Sequence, residues 1–547
     1  MGKELLWKSL RSKSRYIEMN MDSLERKRTG SYYTDLELTD FMMTELISYV
    51  KNQNKSITEY RFFEPCVGTG NFVFSYLKVV KKEWNISAED AIVLLDNVYV
   101  ADVNKDALRG YRESLKNVVY EYWGIKLKDE YFSTHLGTGL LFDVTANELT
   151  YIPLEEVFPN AGVKKFDIVA TNPPYKNLKA ERGHYESDEE YKNDQKKYSS
   201  ISKIVSEKFK YSNEGVLNLY KLFVEEIIDR YANDDAYVSL LIPASIMSDK
   251  TCKKLRTHIL RDNNLLSIKV IGEGSRYIDA QQALSAMLIQ KGEATTNVKV
   301  TKDFCRDTNN EALISIEDIL DKNTGNSIIA ISQEEYAILK ELRRFPIVKN
   351  LDFIVNLRGE FDLTSNKEYI TNEYTGYPLL RGRNIGYYEL IENDKKEFVS
   401  SDFVETTKKR FYIQNERIVC RQIANMHKER RVTYSLVPKN YVLGNSCNFI
   451  AVLDNPYNVD IYAILGLFNT KIVNWLFKLT SSNNHINNYE IDCFPVPIKS
   501  SLLPKISEKT REYLKTENEN ILIEIEELAK KAYGIVNYKK RRGTDVE

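Results

Sequence analysis

The apolar positions along the chain switch between two periods. Leu36, Leu38, Phe41, Met42, Leu46 and Ile47 follow helical spacing, with Thr34 or Asp35 in place as an N-cap. Arg61-Phe62-Phe63 then reads as a short strand, and Phe72, Phe74, Tyr76, Leu77, Val79 and Val80 return to the helical period. Val98-Tyr99-Val100-Ala101-Asp102 is a second strand, a third falls within His135–Asp143, and Phe166-Asp167-Ile168-Val169-Ala170 is a fourth. An amphipathic helix over Leu219–Tyr231, a buried strand over Ala236–Pro243, a basic helix opening at Lys253 and strands at Ile268–Gly272 and Leu284–Ile289 complete the series. Strands alternating with helices predict an α/β fold built on a parallel, doubly wound sheet, with ligands at the carboxyl ends of the strands.

Two stretches break the rhythm. Residues 176–218 are polar and rich in Lys, Glu, Tyr and Ser, and show no regular apolar period before Leu217. They read either as a mobile segment that closes over a substrate or as plain disorder. Gly292-Glu293-Ala294-Thr295-Thr296-Asn297 reads as a domain boundary, because the chain beyond it lacks the strand–helix alternation. The chain therefore divides into an arm at 1–29, a first domain at 30–292 and a second at 293–547, closing with a helix over Glu517–Tyr533 and a basic tail, Lys539-Lys540-Arg541-Arg542.

Composition narrows the classes. A chain of 547 residues has ample length for two or three cores. A net charge of -1 rules out a global polycation, so any nucleic-acid surface is a local patch. Six scattered cysteines with no C-x-x-C spacing and five scattered histidines suggest neither a disulfide framework nor a metal site. No apolar run reaches the roughly 18 residues of a spanning helix. A cytoplasmic protein with no membrane partner is expected.

The chemistry centres on Asn172-Pro173-Pro174-Tyr175, directly after the fourth strand. Two prolines fix φ and remove two donors, leaving a stiff turn with free carbonyls. The Asn172 side chain and the Pro173 carbonyl can accept both N–H bonds of a planar amine and turn its lone pair outward. Tyr175 supplies a ring on which a flipped base can stack. The plain alternative is an ordinary Asn-Pro turn. Upstream, Glu64-Pro65-Cys66-Val67-Gly68-Thr69-Gly70 sits between a strand and a helix, where glycines let backbone approach a ligand. An acid before such a turn repels phosphate and suits a cationic amino-acid group, as in S-adenosylmethionine. Asp102 ends the second strand, where an acid binds ribose hydroxyls or caps the next helix. In the second domain, Arg381 and Arg383 form a basic turn, and Val404–Val442 carries nine Lys or Arg against three acids. Arg421, Lys428, Arg430 and Arg431 are there, interleaved with Tyr412, His427, Tyr434 and Tyr441, a composition suited to phosphates and base edges.

The order Tyr32-Tyr33-Thr34, Gly68-x-Gly70, Asn172-Pro173-Pro174-Tyr175 and a basic C-terminal module resembles the gamma group of DNA adenine-N6 methyltransferases. The C-terminal half resembles a TaqI-like specificity domain through Leu467-Phe468-Asn469-Thr470-Lys471 and Ile486–Ile491. The resemblance implies a Rossmann-like methyltransferase sheet followed by a mixed α+β target recognition domain. It implies that Tyr33 and Thr34 flank the methionine end of S-adenosylmethionine, that Glu64, Cys66, Gly68 and Gly70 line it, and that Asp102 holds the ribose. Asn172, Pro173, Pro174 and Tyr175 would hold the target adenine. Tyr277 would contact the base from its other face, unless it is a surface-loop tyrosine. The family's acid toward the cofactor adenine has no clear counterpart here; Asp143, slightly late, is the candidate. The implied partner is double-stranded DNA, and a separately encoded restriction endonuclease is compatible with this reading. One recognition domain without internal repeat points to a monomer. Alternatives are a modification subunit that needs a specificity partner, a methyltransferase acting on RNA or protein, and a DNA-binding protein without activity. The short arm disfavours a fused nuclease, which is not expected.

Overall fold

The structure, a computed structural model, describes residues 7–10, 12, 34–53, 55–137, 142–144, 149–185, 187–277, 282–304, 310–320, 325–392, 396–425, 428–481 and 484–535. Tyr33, His427, the basic tail at 539–542 and most of the arm at 1–29 lie outside the described residues. The chain divides into two compact units, 1–332 and 333–547. No helix among the described residues is long and apolar enough to cross a membrane.

In the first unit the apolar runs become β1 (Phe62–Glu64), β2 (Val98–Ala101), β3 (Leu136–Gly137), β4 (Phe142–Val144), β5 (Leu149–Tyr151), β6 (Phe166–Thr171), β7 (Ala232–Pro243), β8 (Asn263–Ile271), β9 (Leu284–Lys291), β10 (Asn297–Thr301) and β11 (Glu311–Ser315). Among the described residues, β4 and β5 pair only with each other. The other nine form one sheet in the order β11-β10-β8-β9-β7-β6-β1-β2-β3. From β3 through β7 the strands are parallel, and β9 runs antiparallel between β7 and β8. The doubly wound α/β sheet expected from the sequence is present. Every residue of β1 and β2 is buried, as strands covered on both faces require. The Phe63 ring stacks on Phe166 at 4.3 Å, and Phe62 stacks on Tyr76 at 4.4 Å.

The strand order places the site. From β1 the chain winds outward through β2 and β3, then returns to lay β6 on the other side of β1 and continues to β7. The crevice between the carboxyl ends of β1 and β6 is thus the point where winding reverses, the usual ligand position in such sheets.

Two expectations change. The sheet does not end near residue 292: β10 pairs parallel with β8, and β11 pairs antiparallel with β10. Gly292–Thr296 connects β9 to β10, which lie on either side of β8, and the division between compact units falls at 332/333. Residues 176–218 are also not featureless, since Asp188–Lys208 forms a helix of 21 residues. Ser187 caps it by accepting from the Glu190 N–H, and acids at 188, 189 and 190 favour its N-terminus. Only Ile201 and Val205 are buried, so apolar periodicity could not reveal it. The segment is closed at its base, where the Leu178 N–H donates to the Leu217 carbonyl at 2.8 Å and the Leu219 N–H to the Lys176 carbonyl at 2.9 Å.

The second unit holds a four-stranded antiparallel sheet in the order Ile354–Arg358, Cys447–Val452, Arg417–Arg421, Tyr434–Val437. Helices Ile461–Phe468, Lys471–Thr480, Leu503–Thr516 and Glu519–Ala532 come after it in the chain. Val419, Val437, Leu443, Phe449 and Ala451 form one core on this sheet.

Candidate active site

β6 stops at Thr171 because two prolines two residues later cannot donate to a ladder. Asn172 therefore stands at the carboxyl end of a central strand. Its Nδ2 donates to Thr34 Oγ1 at 3.0 Å, and its Oδ1 accepts from the Tyr175 hydroxyl. The same hydroxyl also contacts the Leu241 carbonyl, at the end of β7, at 2.8 Å. The Tyr175 ring is buried and meets Tyr220 edge-on, with centroids 6.4 Å apart. In this state the ring is packed inside the site rather than laid open as a platform.

Thr34 is mounted rigidly. Its carbonyl accepts from Asn71 Nδ2 at 2.6 Å, and the following N–H, of Asp35, donates to the Tyr277 carbonyl at 2.9 Å. Asp35, not Thr34, caps the helix Leu36–Val50, accepting from the Glu37 N–H at 2.8 Å. Tyr277 thus neighbours Thr34 through its backbone. Its ring is 5.6 Å from Phe304, its hydroxyl accepts from Arg276, and it is buried, so it is not a surface-loop tyrosine.

On the β1 side, Glu64 closes the strand and leads into the turn to Gly70. Gly68 has φ +51° and Gly70 φ +95°, left-handed values that favour glycine. A Cβ at Gly70 would lie 2.5 Å from Tyr111 Cδ2, so the helix Asn71–Trp84 can start here only on a residue without one. Asp102, just past β2, accepts from the Gly68 N–H at 2.8 Å and from the Asn104 N–H at 2.8 Å. It thereby ties the glycine turn to the second strand; the helix Lys105–Trp123 is capped by Asn104 instead.

The site's electrostatics favour a cation. Glu64 is 2% exposed. Burial pushes its pKa well above the ordinary carboxylate range, the Asp102 charge adds to this, and the Val73 N–H opposes it. Burial also raises Asp102, against the N–H groups of Asn104, Gly68 and Val103. The Cys66 thiol is raised by burial and then by Asp102, so it stays protonated and unreactive. Glu64 Oε2 is buried and makes no hydrogen bond among the described residues. A buried, unpartnered carboxylate oxygen is costly unless a donor or cation meets it. An ammonium or sulfonium group beside Glu64, with ribose hydroxyls toward Asp102, would fit these acceptors.

Asp143 falls in β4, on the hairpin outside the nine-stranded sheet, and its side chain is not among those described. The sequence carried no signal for the contacts of Thr34 with Asn172, of Asn71 with Thr34, or of Tyr175 with Leu241.

In the second unit the six candidate DNA contacts separate. Arg383 is 60% exposed, with its guanidinium 3.8 Å from Glu397, and Lys428 is exposed. Arg381 is paired with Glu397 at 2.7 Å, and Arg421 donates to the Ile385 carbonyl. Arg430 lies over the Tyr387 ring at 4.4 Å and donates to the Asn469 carbonyl at 2.9 Å. Arg431 corrects the expectation: it is 2% exposed, packs over Phe477 at 4.9 Å, and cannot reach an external phosphate. Arg358, absent from the sequence-based set, is exposed and holds Gln422 Oε1 at 3.1 Å and the Asn445 carbonyl at 2.7 Å.

Residues 96–275 match the family described as Eco57I restriction-modification methylase, and residues 377–496 match the TaqI-like C-terminal specificity domain. No curated protein matches the chain. Among solved structures, the chain is similar to the Type IIL restriction-modification enzyme MmeI in complex with DNA, at 10% identity and a TM-score of 0.51. That match covers 98% of this chain and 80% of the other. It is also similar to DrdV in a DNA complex, at 10% identity and a TM-score of 0.50, over 93% of this chain and 59% of that one. The likeness to these structures is one of fold.

Proposed function

We propose that this chain, which carries an Eco57I restriction-modification methylase domain ahead of a TaqI-like C-terminal specificity domain, methylates N6 of an adenine flipped out of a specific duplex DNA sequence. S-adenosylmethionine, when bound, supplies the electrophilic methyl group. Glu64 would face its charged end, Asp102 its ribose, and Gly68 and Gly70 would let backbone lie against it. Asn172 Oδ1 and the Pro173 carbonyl would accept the two N–H bonds of the adenine amine, turning the nitrogen lone pair away from the ring. Asn172 Oδ1 is held by the Tyr175 hydroxyl in this state, so the entering amine replaces one donor by another. This is positioning and electrostatic work without a covalent enzyme intermediate. Arg383 and Lys428 would contact DNA phosphates.

The observation that carries the reading is that, at one switch point, the strand end that bears the Asn172 carboxamide adjoins the strand end that bears Glu64, a buried carboxylate whose Oε2 makes no hydrogen bond among the described residues, beside the Gly68 turn tied to Asp102. The test is long-read sequencing of DNA from a methylation-deficient host that expresses this chain alone. N6-methyladenine in one recurrent motif is expected. No modified adenine, from soluble protein that binds S-adenosylmethionine, would overturn the assignment in favour of a required specificity partner or a different substrate.

Tyr175 gives a graded prediction. Tyr175→Phe keeps the ring and loses a hydroxyl that Asn172 no longer needs once the amine is bound, so methylation should persist. Tyr175→Ala should weaken binding of target DNA by about 1–3 kcal/mol, the worth of one base–aromatic stack. A Phe variant as inactive as the Ala variant would show that the ring is not the operative part.

A further inference from the structure

We infer that Thr34 is a positioning residue: its hydroxyl holds the plane of the Asn172 carboxamide in the orientation that accepts the target amine. The inference rests on the methyl-transfer reading and deepens it.

A carboxamide rotates about its last bond, and its two ends differ only in being donor or acceptor. For Asn172 to hold an amine, Oδ1 must face the substrate and Nδ2 must point away and find an acceptor. Thr34 Oγ1, at 3.0 Å, is an acceptor on that side. The partner on the other side, the Tyr175 hydroxyl, is the one a bound amine displaces. It has a second acceptor to retreat to, the Leu241 carbonyl at 2.8 Å. After that exchange the Thr34 contact remains, and a donor amine at Oδ1 obliges Thr34 Oγ1 to accept from Nδ2. Thr34 is itself 6% exposed, so water competes little for its hydroxyl.

The hydroxyl can set the plane because its backbone does not move freely. Asn71, the first residue of the helix after the glycine turn, grips the Thr34 carbonyl at 2.6 Å. The Asp35 N–H is fixed to the Tyr277 carbonyl at 2.9 Å. The same glycine turn that would cradle the cofactor is therefore linked through Asn71 and Thr34 to the group that would hold the base. Donor and acceptor of the methyl group would be aligned through one short chain of hydrogen bonds.

The test compares Thr34→Val, Thr34→Ser and wild type in the full-length enzyme on DNA that contains the target motif. Thr34→Val keeps the shape and removes the acceptor. Its kcat should fall about 10- to 100-fold, the loss expected when a reacting group drifts by a fraction of an ångström to one ångström. The kcat is read at saturating S-adenosylmethionine, with the cofactor Kd read separately by calorimetry, because the resemblance also sets Thr34 beside the methionine end of the cofactor and a change in cofactor binding alone then leaves kcat unaltered. Thr34→Ser restores the hydroxyl and should recover most of the activity. Thr34→Val with wild-type kcat would overturn the inference while leaving N6 methylation standing. So would Thr34→Ser as slow as Thr34→Val, which would make the methyl packing, not the hydroxyl, the operative part. So would a loss confined to the S-adenosylmethionine Kd. Absence of N6-methyladenine from the wild-type reaction would overturn the parent reading and this inference together.

Discussion

Asn172→Ala should lower methyl transfer by roughly 10²–10³-fold or more, the range seen when one preorganised hydrogen-bonding group is removed from a reacting centre. The residue comes after β6 without belonging to it, so no ladder bond is lost. The Tyr175 hydroxyl keeps the Leu241 carbonyl as a partner, and Thr34 keeps its backbone contacts with Asn71. Thermal stability and binding of S-adenosylmethionine should therefore stay close to wild type while single-turnover methylation collapses. Asn172→Asp should fall between the two. It retains an acceptor oxygen for the amine, and the Thr34 hydroxyl can reverse from accepting to donating. What it loses is neutrality, which adds a charge to a site that already holds Glu64 and Asp102. Substantial methylation by the alanine variant, measured with labelled methyl donor and protein shown to be folded, would remove Asn172 from the chemistry and the adenine-N6 reading with it.

The site was legible where chemistry and local structure shared a short segment. Two prolines after a β-branched run announced both a strand end and a stiff turn. Two glycines two apart after an acid announced a close backbone approach. The links between those segments were not legible, because Thr34 and Asn172 are 138 positions apart and a threonine before a helix reads as a cap. The cap proved to be Asp35, which freed Thr34 for the longer-range contact. Strand order explains the rest: the alternation predicts a doubly wound sheet, but only pairing shows that β10 and β11 extend it. The half-buried alternation of Asn297–Thr301 is faint beside the loop-like composition of the turn before it. Charge misled in the second unit. A run rich in Lys and Arg reads as a solvated or DNA-facing surface, yet Arg417 and Arg431 are at most 2% exposed. Guanidinium groups can enter a core when their planar faces meet a ring and their N–H bonds find carbonyls. Arg431 does so over Phe477, and Arg417 over Phe449 at 5.4 Å.

Replacing Arg417 should therefore damage the fold of the second unit rather than its contacts with a ligand. Its side chain and that of Glu360 are both 0% exposed and meet at 3.0 Å. The guanidinium also donates to the Tyr412 and Tyr441 carbonyls, each at 2.7 Å, and Glu360 Oε2 accepts from the Leu443 N–H at 2.8 Å. Burial pushes the Glu360 pKa up, and Arg417 is the main group holding it down. Arg417→Met removes that counter-charge and the N–H donors to two carbonyls at once, and breaking a buried pair in this way costs about 3–5 kcal/mol. Denaturant unfolding of the full chain should show a transition shifted by that amount at neutral pH. Arg417→Met with Glu360→Leu should recover much of the loss, since no charge is then left uncompensated. The pH dependence has a definite sign. In the single variant Glu360 has a folded pKa still further above its unfolded value, so the folded state binds the proton more tightly. Stability is then retained below the ordinary glutamate pKa of about 4.3 and lost as pH rises through the raised folded value. The deficit of Arg417→Met against wild type should accordingly shrink in acid, until general acid unfolding intervenes. A deficit below about 1 kcal/mol at neutral pH, the range of exposed pairs, would mean that the pair is hydrated in solution and that Arg417 does not act as a buried structural group.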